Sequence, residues 1–296
     1  MNRLTRFAWL VLVFNVGVIL LGALVRATGS GAGCGRSWPT CHGELVPELS
    51  GATAIEFTHR SASGVALVLV AVLGVWAWRS APSGGQIRTG VKVAVAAIVG
   101  EALIGAMIVL AEWVADDASV ARAVAVPLHL VNTLLLLAAL SLIIFWLGGG
   151  GHLSIGRHRG TWRWVLIGGI ALVAISATGA ITALADTLFP KDGIGIDLEA
   201  GSHFLTQLRI IHPVLAVLTA GIAWWKIAHA RVIPGASPVV WLVGAMLVTG
   251  SLNVALGVPV WMQLVHLGLA DALWIAYVFV AARALSASDQ GTSVTA

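Results

Sequence analysis

Four histidines hold most of the chemistry this sequence can perform. His59, His129, His212 and His266 each fall within or at the end of an apolar run, toward one common side. Glu56-Phe-Thr-His59 recurs as Arg209-Ile-Ile-His212, and His129 and His266 each sit early in a later run of the same half. A lone histidine in a membrane span is commonly satisfied by an interhelical hydrogen bond. Four of them in register speak instead for ligands. Two imidazoles on separate helices, facing each other across a bundle, are what the iron of a six-coordinate heme takes. Zinc more often asks for a third or fourth strong ligand, and no cysteine or carboxylate set at helical spacing supplies one. The expectation is two bis-histidine heme sites, with these four residues on the iron. His42, His152, His158 and His229 fall in loops or just past helix ends and read as surface residues, and His203, at the start of a span, stays open.

The charged residues near these positions divide into candidates. Glu56 precedes His59 by three positions, so the two share a helix face one turn apart. Its carboxylate would serve as a partner to the histidine, a proton acceptor or a contact to a cationic intermediate; the plain alternative is a negative charge favoured near a helix start. Arg60, beside His59, and Arg26, at the end of the first apolar run, are placed to meet heme propionates, which guanidinium binds well. Arg209 occupies the place of Glu56 in the second repeat, so the two sites differ in charge. Glu101 and Asp271 are acids inside apolar runs and are functional suspects on that ground, with no partner evident from spacing.

The elements that must position these residues are membrane helices. Of 296 residues, 58% are hydrophobic and 10% charged, against about a quarter charged in soluble domains. Lipid is therefore the solvent for most of the chain, and the net charge of +4 calls for no nucleic acid. Thirteen tryptophans against one tyrosine agree with this, since tryptophan collects at membrane interfaces. Eight runs reach the roughly 20 residues a span needs: about Phe7–Val25, Ala54–Trp78, Val91–Trp113, Ala123–Leu147, Trp162–Leu184, Phe204–Ala228, Val239–Gly257 and Val260–Ala284. The first is longer than a signal-peptide core and has no small-x-small site directly after it.

Basic residues set the orientation. Arg3, Arg6, Arg79, Arg88, Lys92, Arg157, Arg159, Arg163, Lys226, Arg231 and Arg283 all fall on one side if there are eight spans. Asp116, Asp117, Asp186, Asp192, Asp197 and Glu199 lie in the opposite loops. Both termini are then expected in the cytoplasm of a multi-pass cell-membrane protein, with the loop from Arg26 to Thr53 outside. That loop holds the only cysteines, Cys34 and Cys41. The outside is oxidising, so they can pair, either as a loop staple or as a redox-active couple. Trp38-Pro39 between them gives a rigid turn.

The repeat extends beyond the histidines. Glu101-Ala-Leu-Ile-Gly105 aligns with Asn253-Val-Ala-Leu-Gly257, and Gly22-Ala23 with Gly179-Ala180. The expected fold class is an all-α membrane protein of two tandem four-helix bundles, residues 1–150 and 151–285, related by a pseudo-two-fold axis along the membrane normal. Residues 286–296 read as a polar, disordered tail. From the residues, the unequal charges hint that one half does chemistry and the other holds a permanent cofactor; a diheme cytochrome b-type electron carrier and a heme or small-molecule transporter are the alternatives. The transporter fits least, because the histidines gather near one face rather than at the midplane.

Gly22-Ala-Leu-Val-Arg-Ala-Thr-Gly-Ser-Gly31, then Cys34, Trp38-Pro-Thr-Cys41 and Glu56-Phe-Thr-His59-Arg60 resemble the heme A synthase family, over nearly the whole chain. The second-half motifs are looser: Pro213 follows His212 where the family often has Arg, and Glu101 stands where it often has Gln. The resemblance implies oxidation of the C8 methyl group of heme O to a formyl group, giving heme A for cytochrome c oxidase, through successive hydroxylations and loss of water. It implies that His212 and His266 ligate a resident heme b, that His59 and His129 hold the substrate heme, and that Glu56 is the catalytic acid. It also implies a Cys34–Cys41 disulfide and, as a partner, heme O synthase, the protoheme farnesyltransferase.

Overall fold

The computed structural model describes residues 1–154, 156, 158–189, 201–229 and 236–286, without the side chains of 225–229. Arg157, Asp192, Asp197, Glu199, Arg231, the Lys226 side chain and the tail beyond Ser286 lie outside the described residues. Among the described residues the fold is all helical: α1 Arg3–Ala27, α2 Gly51–Ser80, α3 Gln86–Leu110, α4 Val120–Leu147, α5 Arg159–Leu188, α6 Phe204–Leu208, α7 Ile211–His229, α8 Ser237–Ala255 and α9 Val260–Ser286. Eight segments are long and apolar enough to cross a bilayer, α6 and the start of α7 together forming one of them. The protein is a multi-pass membrane protein.

The sixth span is not one continuous helix, as its hydropathy suggested. It breaks at Arg209 and Ile210, and the cause is Pro213. Proline has no N–H to offer the carbonyl four residues earlier and its ring crowds that carbonyl, which belongs to Arg209. Thr182 of α5 supplies a donor to it instead, at 3.4 Å.

α1, α2, α3 and α4 close into a ring of neighbours, and so do α5, α7, α8 and α9. The two groups meet where α1 and α4 touch α5 and α9. The first group is densely packed. Leu12, Leu73, Leu137, Leu140 and Ile143 are fully buried at its centre, and Trp274, Ile275 and Phe279 of α9 pack on its flank. By contrast α8 has no buried residue, and α5 buries only Leu184 and Ala185. Those two join Ala123 and Leu205 in a small second core at the Cys-loop end.

Candidate functional site: paired histidines at the Cys-loop end

The four histidines lie in the first two to three turns of α2, α4, α6–α7 and α9, counted from the Cys-loop end. At 1.5 Å per residue all are within about 15 Å of that end. Each is half-buried, and each rests on a glycine of the preceding long helix. A Cβ on Gly22 would come within 2.9 Å of the His59 ring, and one on Gly179 within 3.0 Å of His212. The same contact would be 3.2 Å for Gly250 with His266 and 4.0 Å for Gly105 with His129. The glycines let the Cε1 edge of each imidazole approach a neighbouring backbone closely, which limits its depth.

The second pair is the better defined. His212 Nδ1 lies 3.0 Å from the Ile175 carbonyl, four residues before Gly179. A carbonyl only accepts, so Nδ1 carries the proton. His266 Nδ1 lies 3.0 Å from Thr249 Oγ1. That hydroxyl donates to the Ala245 carbonyl, so here too Nδ1–H is the donor. In both rings Nε2 keeps the lone pair. The ring centres are 6.4 Å apart with planes at 87°. Two metal–nitrogen bonds of about 2 Å each, plus the ring radii, put trans imidazoles on one iron about 6 Å apart. The pair fits a bis-histidine heme. Among the described residues no three His, Cys, Asp or Glu side chains converge as a metal cage.

In the first pair, the Val18 carbonyl, four residues before Gly22, lies near the His59 ring, and His59 Nδ1 is buried without a hydrogen bond. His129 Nδ1 lies 2.9 Å from Glu101 Oε2, off the line of an ideal hydrogen bond. Glu101, which had no evident partner in the sequence, thus meets a histidine. Asp271 meets none: it is 1% exposed, with Oδ2 unbonded.

Glu56 faces the Cys loop. Cys34 and Cys41 form a disulfide, and both are fully buried. Gly33 packs so closely on the first turn of α2 that a Cβ would sit 2.5 Å from the Ala52 carbonyl group. This contact aims the Cys34 N–H at Glu56 Oε2, at 2.7 Å. Glu56 Oε1 accepts from Arg60 Nε at 3.1 Å and also from Nη2. Arg60 Nη1 donates to the Ser37 and Thr40 carbonyls, inside the disulfide ring. Glu56 and Arg60 therefore hold the loop as well as each other, and all but one of the five Arg60 N–H groups are engaged.

Arg26 reaches across to the second group of helices. It donates to the Ala183 carbonyl at 2.6 Å, Thr187 Oγ1 at 2.8 Å and Gln263 Oε1 at 2.9 Å. Gln263 is three residues before His266. At the Glu56-equivalent position, Arg209 pairs with Asp186 at 3.1 Å, both side chains 7% exposed. Asp186, read from the sequence as a loop charge, lies in the last turn of α5. His203 caps α6 through Nδ1, and His42 Nε2 contacts the Gly33 carbonyl. A groove of about 400 Å³ lined by Trp9, Phe279 and Arg283 opens at the other end of the bundle, away from the histidines.

These features define a class: polytopic helical membrane proteins with paired intramembrane histidines suited to heme iron. The family model described as cytochrome oxidase assembly protein, COX15-CtaA, matches residues 5–54 and 48–278, and the chain belongs to this family. It is 46% identical over 299 residues to a protoheme IX farnesyltransferase of Thermus thermophilus, covering 96% of this chain and 49% of that protein. It is 30% identical over 277 residues to a heme A synthase of Geobacillus kaustophilus, covering 88% of this chain and 84% of that one. It is 38% identical over 144 residues to a heme A synthase of Lysinibacillus sphaericus, covering 46% and 44%. The chain spans about half the length of the Thermus relative.

Proposed function

We propose that this chain is an oxidoreductase of the heme A synthase type, which converts the C8 methyl group of heme O to a formyl group. The observation that carries the reading is the fourfold histidine-on-glycine arrangement, within a family whose relatives include heme A synthases of similar length. The chain is two tandem units, 1–150 and 151–285. The closed neighbour rings and their meeting through α1 and α4 with α5 and α9 support this.

His212 and His266 hold a resident heme b, as their 6.4 Å spacing and fixed Nδ1–H groups support. When bound, that heme supplies one-electron redox chemistry. His59 and His129 hold the substrate, whose methyl group passes through two hydroxylations and loss of water, taking up one oxygen atom from water overall and giving up four electrons and four protons, the electrons going to an oxidant outside this chain. Glu56 is the acidic group of the substrate site, kept in place by the Cys34 N–H and Arg60. Arg60 keeps one N–H, and Arg26 two, for propionates. The termini lie in the cytoplasm and the Cys loop outside, as the basic residues Arg3, Arg6, Arg79 and Arg88 on the opposite side support.

The Thermus name belongs to a protein twice as long. The family match takes up nearly all of the present chain, so the prenyl transfer is assigned to the part of that protein which this chain does not span. A heme O synthase, which makes the farnesylated substrate, is then the natural partner.

The deciding experiment is heme extraction and chromatography from cells expressing the chain with and without a heme O source. Heme A formed only with heme O supports the synthase. Heme b alone in both cases overturns it and favours a diheme electron carrier.

A further inference from the structure

Glu101 is the sixteenth residue of α3, inside a run that is otherwise apolar. A carboxylate at such depth persists only when its surroundings satisfy it. Three residues of α4 do so from one face. Glu101 Oε2 lies 2.9 Å from His129 Nδ1. Glu101 Oε1 accepts from Asn132 Nδ2 at 2.6 Å and from Thr133 Oγ1 at 3.0 Å. Residues 129, 132 and 133 are spaced i, i+3 and i+4, which puts them side by side on a helix surface. Asn132 Nδ2 donates also to the Ala97 carbonyl at 2.8 Å, one turn before Glu101. Gly100 makes room for it, since a Cβ there would be 3.0 Å from Asn132 Oδ1. The carboxylate cannot swing away from the histidine without breaking this set.

The second site is built differently. The histidine in the place of His129 is His266, and its Nδ1 is held by the neutral hydroxyl of Thr249. The residue aligned with Glu101 is Asn253, whose Oδ1 is buried without a hydrogen bond. Each site thus has one histidine braced by a side chain, but only the first brace is charged. A carboxylate on the outer nitrogen of a ligating histidine fixes its orientation and makes it a more basic ligand, and losing such a partner typically lowers metal affinity 10–100-fold. A more basic ligand also favours the oxidised iron.

We propose that Glu101 is the positioning residue of the first histidine pair. It orients His129 with Nδ1 toward α3 and Nε2 toward the iron, and it makes the iron there more electron-rich than at the Thr249-braced site. This rests on the reading of His129 as a heme ligand.

The test titrates hemin into the purified full chain and follows each site by absorbance and spectroelectrochemistry. Glu101→Leu removes both the acceptor and the charge. It is expected to weaken first-site binding about 10–100-fold and leave the second site unchanged. Glu101→Gln keeps an acceptor of the same shape but not the charge. It is expected to retain binding while the reduction potential of the first site alone rises. An unchanged first-site potential in Glu101→Gln, or an equal shift at both sites, overturns the proposal. His129→Ala separates this from the underlying reading. If His129→Ala binds hemin at the first site as the unaltered chain does, the ligand assignment itself is wrong. If it does not, while both Glu101 variants behave normally, only the positioning role is lost.

Discussion

The two histidine pairs share a frame and differ in what surrounds it. In both, the first histidine lies against a glycine of the preceding long helix and near the carbonyl four residues before that glycine, Gly22 and Val18 for His59, Gly179 and Ile175 for His212, with the hydrogen bond closed only in the second. The frame is thus set by backbone and by the absence of a Cβ. Charge is where they diverge. The first pair has Glu101 beside it and Glu56 one turn away, while the second has Thr249 and, at the Glu56-equivalent place, an Arg209 paired to Asp186. On the proposed reading, one scaffold with two charge settings lets one site keep its group and the other change it.

The comparison breaks most completely if the pairs are exchangeable in effect. His212→Ala is expected to abolish the heme retained through purification, and His59→Ala to leave that heme in place while product formation stops. Optical spectra and pigment chromatography of the two variants decide this. Loss of the same heme from both would remove the division of labour.

Next in size is the buried ion pair. Asp186→Ala leaves the Arg209 charge without its carboxylate in a nearly waterless place, at an expected cost of about 3–5 kcal/mol. Denaturant unfolding in mild detergent reads it. A loss within about 0.5 kcal/mol, as at ordinary surface positions, would mean that water reaches the pair.

The glycine frame is tested by Gly22→Ala and Gly179→Ala. Overpacking of a close contact typically costs about 1–3 kcal/mol. Each variant should weaken heme binding at its own histidine pair only, by hemin titration. Matching losses at both sites from either variant would show that the contact holds the bundle rather than the ring.

The smallest expected effect is Thr249→Val, which removes one neutral hydrogen bond worth about 0.5–1.5 kcal/mol. Second-site hemin affinity should fall several-fold, with no change at the first.

Much of this was readable in the chain. The eight apolar runs correspond to the eight span-capable segments, because a bilayer imposes length and apolarity on sequence directly. The Cys34–Cys41 disulfide agrees with the expected pairing. The break in the sixth span was missed although Pro213 signals it, since hydropathy averages over a single proline. The partner of Glu101 was missed for a different reason: His129 is 28 positions away on another helix, and no periodicity within one helix reports on its neighbour. Asp186 was expected in a loop and lies in the last turn of α5, and the bonds from Arg26 to α5 and α9 had no signal in the sequence. Both depend on how far helices extend and how they dock, which hydropathy does not report.

Arg26 has a further consequence. From the last turn of α1 it is bonded to α5 and α9 at once, so it spans the seam between the two groups of helices. A guanidinium gripping three acceptors resists sliding along that seam. Electron tunnelling falls off steeply with distance, so on the proposed reading of two heme sites a seam pinned beside His266 would hold the gap between them constant. The rate of transfer between them would then be set by architecture, with little variation from thermal motion of one bundle against the other.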